Sequence, residues 1–192
     1  MTHPMPPDPV AQHPATAITR TTRRTVVLAA VGVSAALVTG VAVRRGTMPA
    51  ASPMKLVTEL KRLKGKTLSS STAWSPFQVF THLAQSVEYS INGYPHLNSA
   101  LFQHTAGAAA AFMFSTVGAM RHNLTEPIPG APALAHVGPL GDAIDRLIAA
   151  LESFDRHPGP LLPHFAYGTL DKPAYASAHV LHVRNHLQEI HG

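Results

Sequence analysis

The sequence predicts an all-α fold, a helical bundle preceded by an N-terminal signal or transmembrane helix. Three observations carry this. Apolar residues recur at three- and four-residue spacing through most of residues 53–192. The stretches that carry them are bounded by helix start and stop signals. No run in that part of the chain alternates apolar and polar residues between hairpin turns.

The N-terminus comes first. Residues 1–25 are rich in Pro, Ala and Thr and lack apolar periodicity, and read as a disordered, basic segment. Thr22-Arg23-Arg24-Thr25 then leads into 18 uncharged residues, Val26 to Val43, closed by Arg44 and Arg45. That length overlaps a secretory signal core and a spanning helix of roughly 17–25 residues. An uncleaved single-span anchor over residues 26–45 is the expectation from length, with a cleaved signal as the alternative. The Arg23-Arg24 pair resembles a twin-arginine export signal, with valine where Phe or Leu usually stands. Either route places the rest of the chain at the cell envelope or periplasm, with the inner membrane as the partner of the N-terminal segment. Residues 46–52 read as a linker.

The first helix of the body spans Met54 to Leu63, with Leu56, Val57, Leu60 and Leu63 as its stripe. Ser75-Pro76-Phe77-Gln78 is a capping box with proline at the first helical position, and Trp74 before it can pack on Val79. Val79, His82, Leu83, Ser86, Val87 and Ser90 then share one face, so His82 points into the core. Asn92-Gly93 stops this helix. A small-residue helical run from Ser99 to Met120 carries Leu101, Phe102, Phe112, Met113 and Phe114. Glu126 to Pro132, with three prolines, is a stiffened loop. A helix starting at Gly141-Asp142 has Ile144, Leu147, Ile148 and Leu151 on its stripe and ends before Arg156. The last helix begins near Asp171-Lys172-Pro173 and runs to Glu189.

The basic character does not extend to the body. The chain has 15 Lys+Arg and 10 Asp+Glu. Five of the basic residues (Arg20, Arg23, Arg24, Arg44, Arg45) and one acid (Asp8) precede residue 46. The remainder holds 10 basic and 9 acidic residues, a net of +1. A nucleic-acid partner loses its main electrostatic support. The chain has no cysteine, which excludes disulfides, thiolate metal sites and thiol nucleophiles of its own.

Histidine is over-used, with 13 copies. In the last helix His179, His182 and His186 fall within an arc of roughly 60° at about 100° per residue. His182 and His186, four apart, stack on one face and can grip one ion, the spacing of helical zinc ligands. His82, alone on an apolar face, is the natural third donor. The bland alternative for the pair is a solvated surface pair. His96, His104, His122, His136, His157, His164 and His191 show no such pairing and receive no role. A three-histidine site leaves coordination positions open, as catalytic metal sites do. Ser86 and Asn185 can hydrogen-bond to a ligand, or serve as ordinary polar packing. Glu88 and Tyr89 lie off the apolar face and are poor general-base candidates.

Several ordered motifs carry a family resemblance. They are Trp74-Ser75, His82-Leu83-Ala84-Gln85-Ser86-Val87-Glu88-Tyr89-Ser90, Gly93-Tyr94-Pro95, Pro127-Ile128-Pro129-Gly130-Ala131-Pro132, His157-Pro158-Gly159-Pro160, His164-Phe165-Ala166-Tyr167-Gly168-Thr169-Leu170 and the final His-x-x-His-x-x-x-His helix. Over roughly residues 53–190 the chain resembles a domain-of-unknown-function family, DUF1569, of the DinB-like superfamily. The resemblance implies a four-helix bundle with one metal-ligating histidine from the second helix and two from the last. Carried over by position, these are His82, His182 and His186, and zinc or nickel is the implied divalent ion. His179 also matches the pattern, with no role implied. Relatives in the superfamily transfer or isomerise using low-molecular-weight thiols, and many begin with a twin-arginine leader.

Three functions follow as expectations. The first is a metal-dependent enzyme, a thiol-dependent transferase or a hydrolase, acting on an unknown small molecule. The second is a non-catalytic metal- or ligand-binding envelope protein. The third is a structural bundle that has lost its metal. A homodimer is left open.

Overall fold

Trp74 and the residues after it show how local chemistry sets this fold. Ser75 caps the second helix in the computed structural model: its side chain accepts from the Gln78 N–H, while Gln78 Oε1 accepts from the Ser75 N–H. Two otherwise orphaned donors are satisfied reciprocally, and Pro76 has no N–H to satisfy. Gly93 ends the helix at φ +96°, a backbone conformation that suits glycine.

The structure describes residues 52–110, 118, 120 and 122–192. The expected disordered start, the signal or membrane segment at 26–45 and nearly all of the linker lie outside the described residues. Among those described, no helix is long and apolar enough to cross a membrane.

The described chain is mostly helical. Its elements are α1 (Pro53–Lys61), β1 (Ser69–Ser70), α2 (Pro76–Asn92), α3 (Ala100–Phe102, continuing into a π-helical turn at Gln103–Gly107), α4 (Leu140–Arg156), α5 (Lys172–Leu187) and β2 (Ile190–His191). The helix boundaries expected from sequence hold to within about two residues, ordinary fraying at helix ends. Asp171 caps α5 by accepting from the Ala174 N–H at 2.8 Å.

Helices α1, α2, α4 and α5 share one apolar core. Leu56, Val57 and Leu60 of α1 meet Val79, Phe80, Leu83 and Val87 of α2, Ile144, Leu147, Leu151 and Phe154 of α4, and Tyr175, Val180 and Val183 of α5. Each fully buried aliphatic side chain contributes about 1.5–3 kcal/mol. Arg146 of α4 donates from Nε and Nη2 to the two carboxylate oxygens of Glu88 on α2, at 2.8 and 2.7 Å. That bidentate pair occupies Glu88 structurally.

Two expectations need correction. The run from Ser99 is not one regular helix in its described part. Gln103–Gly107 is π-helical, and Leu101 and Phe102 are 75% and 43% exposed, outside the core. Residues 111–117 of that run lie outside the described residues. The body also contains a strand pair: β1 and β2 are antiparallel, with Ser69 opposite His191 and Ser70 opposite Ile190. Two residues per strand are too few to leave an alternation pattern.

A four-histidine cluster as candidate metal centre

The apolar face of α2 carries His82 inward, and it is 3% exposed. The same face of α5 carries His182 and His186, one helical turn apart. Helix packing brings the three together: His82 Nε2 and His182 Nε2 are 3.3 Å apart, and the His82 and His186 ring centres are 5.2 Å apart. A fourth histidine, His122, enters from the loop before α4. Its ring lies 5.0 Å from that of His182 and 5.3 Å from that of His186. One ring nitrogen from each of His82, His122, His182 and His186 can be chosen so that all lie within 4.8 Å of one another. These four can hold a metal ion.

The donor chemistry fits such an ion. Two nitrogens bound at 2.0–2.1 Å to a tetrahedral ion lie about 3.3–3.4 Å apart, which the His82–His182 separation meets. Among the described residues, His186 Nε2 is buried without a hydrogen-bond partner, and so is His82 Nδ1, the ring nitrogen other than the one that faces His182. Such atoms cost about 1–3 kcal/mol each when unsatisfied. A cation satisfies lone pairs that neighbouring lone pairs cannot. Trp74 walls the cluster, its ring edge-on to His82 at 5.0 Å and nearly parallel to His186 at 6.5 Å.

Burial keeps these rings neutral, which metal ligation requires. Burial, reinforced by His122, lowers the His82 pKa to about 4. Burial, with His82 and His122 adding repulsion, lowers His186 to about 3. His182 is driven well below its ordinary value by burial first and then by its histidine neighbours. His122 is lowered by burial, with Glu126 pulling the other way.

Asn185 lies beside the cluster, its side-chain amide 3.1 Å from His122 Nδ1. With Nδ2 facing the ring, the amide donates to Nδ1. Turned over, Oδ1 accepts from Nδ1–H and leaves the His122 Nε2 lone pair free, as a metal ligand needs.

His179, in the same sequence arc, is not in the cluster. Ser90 Oγ donates to the Val87 carbonyl at 2.6 Å, so it accepts from His179 Nε2–H at 3.2 Å. The His179 ring packs against Phe154 and Tyr175, and burial lowers its pKa to about 3. His122 was invisible to periodicity because it stands in a loop, where spacing carries no geometry. His136, also without a sequence signal, hydrogen-bonds Gln78 Oε1 at 3.0 Å beside the α2 cap.

A cavity of about 160 Å³ opens against the cluster. Its walls include His82, His122, His182, Met120, Ile128, Phe165 and Tyr167. Ile128 and Pro129 belong to the proline-stiffened loop, which forms one rim.

Fold and site together define a helical domain with an all-imidazole cluster, buried at His82 and His186 and open at His122, able to hold a metal ion. The chain belongs to the family described as Protein of unknown function (DUF1569), which matches residues 45–192. No curated protein and no solved structure matches it.

Proposed function

We propose that the domain binds a divalent metal ion through His82, His182 and His186, with His122 as a fourth donor, in a four-helix bundle of the DinB-like type. The stranded Nε2 of His186, within a set of four imidazoles that each offer a ring nitrogen within 4.8 Å of the others, carries this reading. Imidazole donors without a thiolate or a carboxylate among them suit zinc and nickel. A divalent ion there supplies Lewis acidity, lowering the pKa of a bound water or thiol or polarising a carbonyl. The adjoining cavity gives a small molecule access, which favours a metal-dependent enzyme of the hydrolase or thiol-dependent transferase kind.

His122 favours a second reading. Four histidine ligands close a site, as in structural or sequestering metal centres. The domain is then a non-catalytic metal-binding module. The two separate on His122→Ala: an open three-histidine site keeps near-stoichiometric metal, whereas a closed one loses affinity sharply. Elemental analysis of both proteins at matched zinc concentration decides. For the N-terminus we propose export to the envelope and an anchor over residues 26–43. Export that persists in the Arg23→Lys, Arg24→Lys double variant rules out the twin-arginine route.

A further inference from the structure

The loop His164–Gly168 contributes His164, Phe165 and Tyr167 to the cavity wall. This loop closes on itself through two backbone hydrogen bonds, His164 N–H to Gly168 O at 2.9 Å and Gly168 N–H to His164 O at 3.1 Å. Gly168 sits at φ +71°, a region that disfavours a side chain. The Phe165 carbonyl accepts from the Asn98 N–H at 2.9 Å and from Gln103 Nε2 at 3.2 Å. Gly107 brings the helical backbone so close that a Cβ there would collide with the Ala166 carbonyl oxygen. The loop is therefore clamped from three sides.

That clamp fixes one side chain. His164 Nδ1 accepts from the backbone N–H groups of both Ala166, at 3.1 Å, and Tyr167, at 3.2 Å. An atom that accepts two N–H bonds carries a lone pair and no proton. The neutral ring must then hold its proton on Nε2. Tyr167 stacks on the ring at 4.2 Å, nearly parallel, and holds its plane. His164 is 8% exposed and lines the cavity. It is thus a neutral donor of fixed tautomer, not a metal ligand.

Three neighbouring donors are already engaged. The Tyr94 hydroxyl donates to the Ser86 carbonyl at 3.0 Å, and the Tyr175 hydroxyl to the Leu162 carbonyl at 2.6 Å. His179 Nε2–H goes to Ser90. Among the described residues no Lys or Arg lines the cavity. Met120, Pro127, Ile128, Pro129 and Phe165 make much of the lining apolar. A cavity of about 150 Å³ holds a molecule of benzene size.

We propose that this cavity binds a small carbonyl compound with an apolar body of about phenyl size, its carbonyl oxygen accepting a hydrogen bond from His164 Nε2–H and its head directed at the histidine cluster. This rests on the metal reading given above. His164 would contact the substrate and polarise the same carbonyl that a bound ion attracts.

The test uses the full chain loaded with zinc, with benzohydroxamate as probe. Long-range ¹H–¹⁵N spectra of the histidine rings, assigned for His164 by their loss in His164→Phe, report its tautomer without any assay of activity. The Nε2–H form is expected, with its signals shifting as benzohydroxamate is added. His164→Phe keeps the ring stack, should retain zinc, and should bind benzohydroxamate about ten- to a hundredfold more weakly. An Nδ1–H or cationic His164, signals unmoved by the probe, or unchanged probe affinity in a zinc-replete variant overturns the proposal alone. A chain that takes up no zinc overturns the metal reading and this proposal together. If His164→Phe does not fold, assignment by a conservative His164→Gln variant and the wild-type spectra still decide.

Discussion

Acidifying the metal-free protein should destabilise it steeply below about pH 6.5, and the buried histidines set that window. In the unfolded chain each takes a proton below its ordinary pKa of 6.5. In the folded chain His82 resists until about pH 4, and His164, His179 and His186 until about pH 3. Between these limits the unfolded state binds more protons, so stability falls as pH falls. Above pH 6.5 these four rings cost nothing. One unit lower, each withdraws about 1–2 kcal/mol and the four together about 5–6 kcal/mol. A domain of this size is stable by about 5–15 kcal/mol, so that loss removes a third or more of it. Trp74, the only tryptophan, lies against His82 and His186 and reports the site by fluorescence. Circular dichroism reports the helices. Zinc at about 100 times its dissociation constant adds about 2.7 kcal/mol to the folded state. Against a slope of about 5.5 kcal/mol per pH unit, the midpoint should move down by about half a unit. A denaturant midpoint, read by helical signal and Trp74 emission, that does not fall between pH 7 and 5 without metal would refute the burial argument.

Other consequences are equally direct. His182→Ala should lower metal content far more than His136→Ala, since His136 only braces the α2 cap; elemental analysis of both variants checks this. Gly107→Ala should destabilise the fold by about 1–3 kcal/mol, because the added methyl meets the Ala166 carbonyl; a denaturant midpoint equal to wild type would count against the clamp. Ser75→Ala should cost about 1 kcal/mol or more, since Ser75 Oγ also donates to the His136 carbonyl at 2.6 Å. Thermal melts read that loss.

Much of this architecture was legible in the sequence, for physical reasons. The Ser75–Gln78 capping box and Gly93 are local chemistry, and each stands where its pattern puts it. The inward face of α2 follows from helical periodicity, which is why His82 could be placed in the core. The pair His182 and His186 follows from the same arithmetic. His179 shows the limit. Its angle on α5 differs little from theirs, yet Ser90, Phe154 and Tyr175 claim it one turn away along the axis. His122 and His164 were not legible, because a loop residue's position depends on contacts distant in sequence. The weight of the Pro-rich segment before α4 fell on its turn chemistry, although Ile128 within it is buried and lines the cavity. The π-helical turn at Gln103–Gly107 was hidden too, since a small-residue run reads as a regular helix whichever hydrogen-bond register it takes.

The central claim is that four histidines gather to hold a metal. Metal content of the purified chain, measured by elemental analysis beside His82→Ala and His186→Ala, tests it most directly. One divalent ion per chain, lost in both variants, is the predicted result. No bound metal after reconstitution with zinc and with nickel would contradict the account, leaving the cluster as core histidines of a helical domain.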